Sequence, residues 1–306
     1  MGSVLEERKV LNNGVKMPMM GFGTWQMDDD QAAKAVFEAI RAGYRLIDTA
    51  AFYNCEEGVG RGIRDSGVPR EEIFVTTKVW ATHTYNGTVE QGLEESLKRL
   101  GLDYVDMWLL HWPLNYINAW KDMEKIYLDG RVRSIGVSNM RVRQLANLTD
   151  HTDIVPAFIQ IECNPLVSQF EIRSFCEYKG IAVGGWQSLG SGAKGEVLTS
   201  PVMEEIAQSH GKSTAQVALR WAYQNGIITV PKTVTPSRMV QNADIMDFEL
   251  TREDMEKIGN LRQLPRYDTE IDDVPVRILE QAKRGIYYAP KGYAGNLTVN
   301  FFQDKQ

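Results

Sequence analysis

Short apolar or β-branched runs alternate with amphipathic stretches of about 10–15 residues along most of the chain, and this rhythm limits the fold more than any other feature. A strand followed by a helix brings the chain back to lay its next strand parallel to the first, so repetition builds a parallel sheet wrapped in helices. The strand-like runs are Met20–Thr24, Arg45–Thr49, Ile73–Lys78, Val105–His111, Ser134–Ser138, Phe158–Glu162, Ala182–Trp186 and Thr229–Lys232. Helical patterns fall at Gln31–Ala42, Val89–Leu100, Ile117–Leu128, Arg143–Leu148, Glu171–Tyr178, Val202–Ser209 and Ser237–Ala243. Such a series specifies an α/β fold, the (β/α)8 TIM barrel.

Glycines punctuate the helical stretches at Gly43, Gly101, Gly130, Gly180 and Gly211, where a helix ends by turning left-handed. Ahead of the first strand, Val10 to Lys16 reads as a β-hairpin turned at Asn13-Gly14, placed to plug one barrel end. Two further helical patterns, Thr214–Tyr223 and Arg252–Leu261, exceed a minimal repeat. From about Pro265 the pattern fades into an irregular tail bearing Tyr267, Tyr287, Tyr288, Tyr293, Phe301 and Phe302. That tail reads either as a partly ordered terminus or as a flap over a pocket. No linker or low-complexity run divides residues 1–306, so one domain is expected.

Composition narrows the function. A net charge of −6 over 306 residues gives no basic footprint for nucleic acid or anionic membrane. Cys55, Cys163 and Cys176 form no CxxC pair, and the four histidines form no HxxxH pair, so neither a disulfide framework nor a metal site is expected. With no apolar leader and no run of about 20 apolar residues, a cytoplasmic protein is expected, as a monomer or weak homo-oligomer.

In parallel barrels the reactive side chains stand at the C-terminal ends of strands. Those positions here hold Asp48, Lys78, His111, Ser138 with Asn139, Gln160 followed by Asn164, Trp186 and Lys232, while Tyr53 follows shortly after Asp48. Singly, each has a structural explanation: a turn cap, a solvated lysine, a core histidine. Jointly, at one rim, they suit carbonyl reduction. Hydride addition to a carbonyl makes an alkoxide that needs a proton and an electrostatic partner. A phenol can supply the proton, and an adjacent ammonium would lower its pKa. No nucleophile with its own base is evident, which disfavours covalent hydrolysis.

Asp48, Tyr53, Lys78 and His111 resemble the tetrad of the aldo-keto reductase family. The strings Gly21-Phe-Gly-Thr-Trp25, Ile47-Asp-Thr-Ala50, Thr77-Lys-Val-Trp80, Leu110-His-Trp-Pro113, Gly136-Val-Ser-Asn139, Gln160-Ile-Glu-Cys-Asn-Pro165 and Val230-Pro-Lys-Thr-Val-Thr-Pro236 match it in order, from about residue 9 to 262. The resemblance implies NADPH as cofactor. Ser138, Asn139 and Gln160 would then hold its carboxamide and Trp186 would stack on its nicotinamide. Lys232, Thr233 and Arg238 would grip the 2′-phosphate, with Asn242 near the adenine. Leu189 and Gly190 would belong to the strap over the pyrophosphate. Trp25, Phe52, Trp80, His111 and Trp112 would line the pocket for a small-molecule carbonyl substrate.

The chain departs from the family's pattern at Trp186-Gln-Ser-Leu-Gly190, where the usual Tyr, the Pro and the position of the Ser are lost. Gly190, Gly192 and Gly195 spell G-x-G-x-x-G there, but no helix opens directly after it, so it reads as a flexible strap rather than a Rossmann turn. The short segment from His111 to Trp120 is similar to the compact microbial branch that includes diketogluconate and prostaglandin F synthase-type reductases. One alternative is an NADPH-binding regulatory subunit with little turnover. Another, a short-chain dehydrogenase using Tyr287 and Lys291, is disfavoured because Pro290 interrupts any helix between them.

Overall fold

The computed structural model describes residues 2–190, 196–264 and 276–289. An antiparallel hairpin comes first: β1 (Arg8–Val10) against β2 (Lys16–Pro18), with Val10 opposite Lys16. Its turn lies where expected. Gly14 has φ 83°, open to a residue without a Cβ, and its N–H donates to the Leu11 carbonyl at 2.9 Å.

The first repeats are β3 (Phe22–Gly23), α1 (Asp29–Arg41), β4 (Leu46–Asp48), α2 (Glu56–Asp65) and β5 (Phe74–Val79). Then come α3 (Ala81–Asn86), α4 (Val89–Leu100), β6 (Met107–Leu110), α5 (Tyr116–Leu128), β7 (Ile135–Ser138), α6 (Val142–His151) and β8 (Phe158–Glu162). The chain continues through α7 (Phe170–Lys179), β9 (Ala182–Trp186), α8 (Glu196–Thr199), α9 (Pro201–His210), α10 (Thr214–Gln224) and β10 (Ile228–Thr229). Helices α11 (Pro236–Ala243), α12 (Arg252–Gly259) and α13 (Val276–Lys283) follow.

Strands β3 to β10 pair in sequence order, all parallel. The two outer strands then meet. Gly21 N–H donates to the Thr229 carbonyl at 2.8 Å, Thr229 N–H to Met19 at 3.1 Å, and Gly23 N–H to Pro231 at 3.3 Å. The sheet is closed, and the fold is the expected (β/α)8 barrel. β3 and β10 are two residues each, shorter than the apolar runs suggested. A single parallel bridge, Met20 to Thr229, joins them ahead of β3.

Four helices were not legible: α2, α3, α8 and α13. The α2 sequence carries Gly58, Gly60 and Gly62, each unfavourable in a helix interior by about 1 kcal/mol. Packing demands them. A Cβ at Gly58 would lie 2.0 Å from the Asp29 carbonyl oxygen, and one at Gly60 would lie 2.0 Å from that of Leu100. Helix α2 therefore lies almost in backbone contact with α1 and the end of α4.

The tail reading is partly resolved. Ile278 and Ala282 of α13, with Ala289, bury themselves against Phe52, Trp80, Ala81 and Trp112. Ala289 N–H donates to the Phe52 carbonyl at 2.8 Å and Asn54 donates to the Ala289 carbonyl at 3.2 Å. Tyr267, Tyr293, Phe301 and Phe302 lie outside the described residues, as do Gly192, Gly195, Pro290 and Lys291.

Candidate active site

The site grows out of the ends of β4, β5 and β6. Asp48 closes β4 and is almost wholly buried. A single 3₁₀ turn, Ala51–Tyr53, then brings the Tyr53 ring back over the barrel end. It stops at Asn54, whose φ of 57° is left-handed, a conformation that Asn tolerates better than most residues. Lys78, near the end of β5, has no exposed surface at all. Its Nζ donates to both Asp48 carboxylate oxygens, at 2.6 and 2.7 Å, and to the Thr49 carbonyl at 2.9 Å. The Tyr53 hydroxyl lies 3.4 Å from the same nitrogen. The Gln160 amide donates to the second Asp48 oxygen at 3.0 Å.

This packing sets the charges. Burial, and after it the Asp48 carboxylate, pushes the Tyr53 phenol well above its ordinary value of 10.0. Sequence reasoning expected the ammonium to lower it. That expectation is corrected: burial of the phenol, with the Asp48 carboxylate beside it, outweighs the pull of the Lys78 ammonium. Tyr53 consequently holds its proton at rest. Burial pulls the Lys78 ammonium down, with Asp48 opposing. Burial, then Lys78, lowers His111 well below 6.5, so its imidazole is neutral, and its buried Nδ1 makes no hydrogen bond. The His111 ring stands edge-on to Tyr53, centroids 5.8 Å apart, and to Trp80 at 5.0 Å.

A cavity of about 300 Å³ opens over these groups. Of the expected residues, Asp48, Tyr53, His111, Ser138, Asn139, Gln160, Trp186, Leu189, Gly190, Lys232, Trp25, Phe52, Trp80 and Trp112 line it. Lys78 sits beneath its floor. One wall is aromatic: Phe52 stacks on Trp80 at 3.7 Å and on Trp25 at 6.1 Å, and Trp25 tilts toward Tyr53 at 4.7 Å. The Arg277 guanidinium of α13 lies over the Trp112 ring at 5.7 Å.

The opposite side is polar and rigidly held. Ser138 Oγ donates to the Gln160 carbonyl at 2.9 Å, and Asn139 Nδ2 to the His111 carbonyl at 3.0 Å. Trp186 Nε1 donates to Asn139 Oδ1 at 3.0 Å, which fixes the indole at the cavity edge. Lys232 is exposed at the rim, three residues past the end of β10. Thr233, Arg238 and Asn242 lie beyond the cavity lining: Arg238 is exposed on α11, while Thr233 and Asn242 are buried. Lys232 and Arg238 make no ion pair among the described residues. Amide groups at the floor, a flat indole at the edge, and one cation at the rim with a second beyond it fit an elongated dinucleotide carrying an extra phosphate.

Several lining residues escaped sequence reasoning: Thr24, Gln26, Gln187, Ser188, Val230 and Pro231. Gln26 and Gln187 have φ of 63° and 52°, left-handed for residues that carry no sequence signal for it. The departure at Trp186–Gly190 forms a tight turn, Gly190 N–H donating to the Gln187 carbonyl at 2.8 Å and Ser188 Oγ to that of Gly185 at 2.9 Å. Among the described residues no group of three potential ligands could hold a metal ion, and no helix is long and apolar enough to cross a membrane.

Residues 19–263 match the Aldo/keto reductase family. The chain is 43% identical to glyoxal reductase of Bacillus subtilis, covering 90% of this chain and 99% of that one. It is 38% identical to methylglyoxal reductase DkgA of Escherichia coli, covering 86% and 96%. The solved structure of a Bombyx mori aldo-keto reductase in complex with NADP aligns with a TM-score of 0.78 at 36% identity, over 83% of this chain and 92% of that one. A matched domain spanning the whole barrel, together with relatives covered almost end to end, places this chain in the aldo/keto reductase family, as an oxidoreductase acting on carbonyl groups.

Proposed function

We propose that the chain reduces aldehydes and ketones to alcohols with NADPH, with Tyr53 as the proton donor. The observation that carries this reading is the placement of one buried ammonium 3.4 Å from the Tyr53 hydroxyl while it is chelated by Asp48. Bound NADPH would supply the hydride. As negative charge grows on the carbonyl oxygen, Tyr53 passes its proton to that oxygen and Lys78 balances the charge left on the phenolate. Neutral His111 orients the oxygen by hydrogen bonding without competing as an acid.

Ser138, Asn139 and Gln160 would hold the carboxamide, Trp186 the nicotinamide face, Leu189 and Gly190 the pyrophosphate, and Asn242 the adenine. Lys232, Thr233 and Arg238 would take the 2′-phosphate. Trp25, Phe52, Trp80 and Trp112 would surround the substrate. Residues 1–306 act as one domain in this reading, cytoplasmic and monomeric or weakly associated. The regulatory-subunit alternative leaves the assembled tetrad beside an open cavity without a purpose.

Steady-state NADPH oxidation tests the reading, with glyoxal and methylglyoxal first in a panel of aldehydes because the relatives are named for them. Turnover with members of the panel is expected; none with any of them would favour the regulatory alternative. In the same assay Lys232→Ala should raise KM for NADPH by roughly tenfold or more, a charged hydrogen bond being worth about 1.5–3 kcal/mol, and should barely change KM for NADH. Equal rises would remove the phosphate assignment.

A further inference from the structure

A second carboxylate stands behind the Asp48–Lys78 pair. Glu56, the first residue of α2, is fully buried, which for a charged side chain requires partners. It has two. Thr77 Oγ1 donates to Glu56 Oε1 at 2.6 Å, and Arg99 Nε donates to Oε2 at 2.8 Å. Thr77 precedes Lys78 on β5, and neighbouring residues of a strand face opposite sides. The sheet therefore has Glu56 gripping β5 from the helix side, while Lys78 projects into the barrel from the next position. Glu56 also follows Tyr53 by three residues, so one short segment carries the proton donor and ends at this carboxylate.

Arg99 on α4 is held on its outer side as well. It bonds Ser96 Oγ at 3.2 Å and the Tyr288 hydroxyl at 2.9 Å, lies 4.9 Å above the Tyr288 ring, and approaches Glu95 at 3.6 Å. Tyr288 in turn donates to Glu95 at 2.9 Å. A continuous chain of polar contacts thus runs from the C-terminal segment through Arg99 and Glu56 to the strand bearing Lys78.

Resting on the assignment of Tyr53 and Lys78 as the proton-donating pair, we propose that Glu56 is a positioning residue for that pair. Anchored by Thr77 and Arg99, it holds β5 in register with the Tyr53 turn and adds a second negative charge that keeps the Lys78 ammonium charged. The charged and titratable groups facing this cluster are Asp48 on β4, Tyr53 and Cys55 on the turn after it, and His111 after β6. Glu95 and Arg99 face it from α4, His83 from α3, 3.6 Å from Glu95, and Tyr288 from the C-terminal segment. Among the described residues, the carboxylates acting directly on Lys78 are Asp48 and Glu56 itself.

The alkaline limb of kcat/KM for carbonyl reduction reports loss of a proton from the pair, and it distinguishes an electrostatic role from a structural one. Glu56→Gln removes a negative charge, so the limb should move to lower pH, by about one unit, the low end of what one nearby buried charge does. Arg99→Met removes a positive charge from the other side of Glu56, so the limb should move to higher pH by a smaller step. Opposite shifts in the two variants support the proposal. A folded variant of either kind whose limb stays at the wild-type pH overturns it, even if its rate is reduced. Because Arg99 is partly exposed, its variant remains informative if Glu56→Gln fails to fold. Tyr53→Phe is run alongside: near-normal turnover there would sink the assignment of the pair, whereas an inactive Tyr53→Phe with unshifted limbs would sink the role of Glu56 alone.

Discussion

His111 shows how burial fixes chemistry at single residues. Enclosed by Tyr53 and Trp80 and near the Lys78 ammonium, its imidazole is kept neutral well below the usual histidine range. The folded state then binds fewer protons than the unfolded chain, so this residue contributes stability above pH 6.5 that is lost as pH falls below it. Urea titrations should show the wild type losing up to about 1.4 kcal/mol more per pH unit than His111→Asn in that window. Identical pH slopes would mean that His111 titrates normally. The identities of Asp48, Lys78 and His111 were legible because charged or polar residues ending apolar strands have few packing uses. Glu56 was not. An acidic residue in the first turn of a helix is ordinary, and only its burial against Thr77 and Arg99 marks it out. The direction of the Tyr53 shift differs from the expectation for a related reason: sequence shows that an ammonium is near, but not how far the phenol is buried or that Asp48 stands beside it.

Among the elements, those with clean periodicity were placed within a residue or two, as at Val89–Leu100 and Phe158–Glu162. Helix α2 was invisible because its three glycines violate helix propensity, and the reason lies in its neighbours rather than in itself. Each glycine admits a backbone that a side chain would push away. Gly60→Ala should therefore destabilise the protein by about 1–3 kcal/mol, the usual cost of overpacking. It should also lower turnover, since α2 begins three residues after Tyr53. Unchanged stability in denaturant would show that α2 and α4 can part without cost. Helix α13 was missed because its short apolar face acquires meaning only against Phe52, Trp80 and Trp112, residues far away in sequence.

At the scale of the whole molecule, the alternation of strands and helices was enough to specify the barrel. Its closure depends on backbone pairing of Gly21 and Gly23 with Thr229 and Pro231, which no side-chain pattern announces. The packed fold also buries Cys55, Cys163 and Cys176 completely, and burial raises each thiol from 9.0 to about 12. Raised folded values mean stability that is full below pH 9 and lost as pH climbs toward 12, at about 1.4 kcal/mol per thiol per unit. Native protein should leave a thiol-specific reagent unreacted at neutral pH and unfold cooperatively under alkali; a rapidly titrating thiol in the native state would contradict the burial. The barrel's functional consequence is to bring the ends of β4, β5 and β6 around one phenol. The most direct test is the turnover number of Tyr53→Phe with NADPH and a reactive aldehyde, in protein shown by circular dichroism to be folded. A fall of roughly 10²–10⁴-fold is predicted, the usual contribution of a placed general acid. Turnover within a few-fold of the wild type would contradict the account.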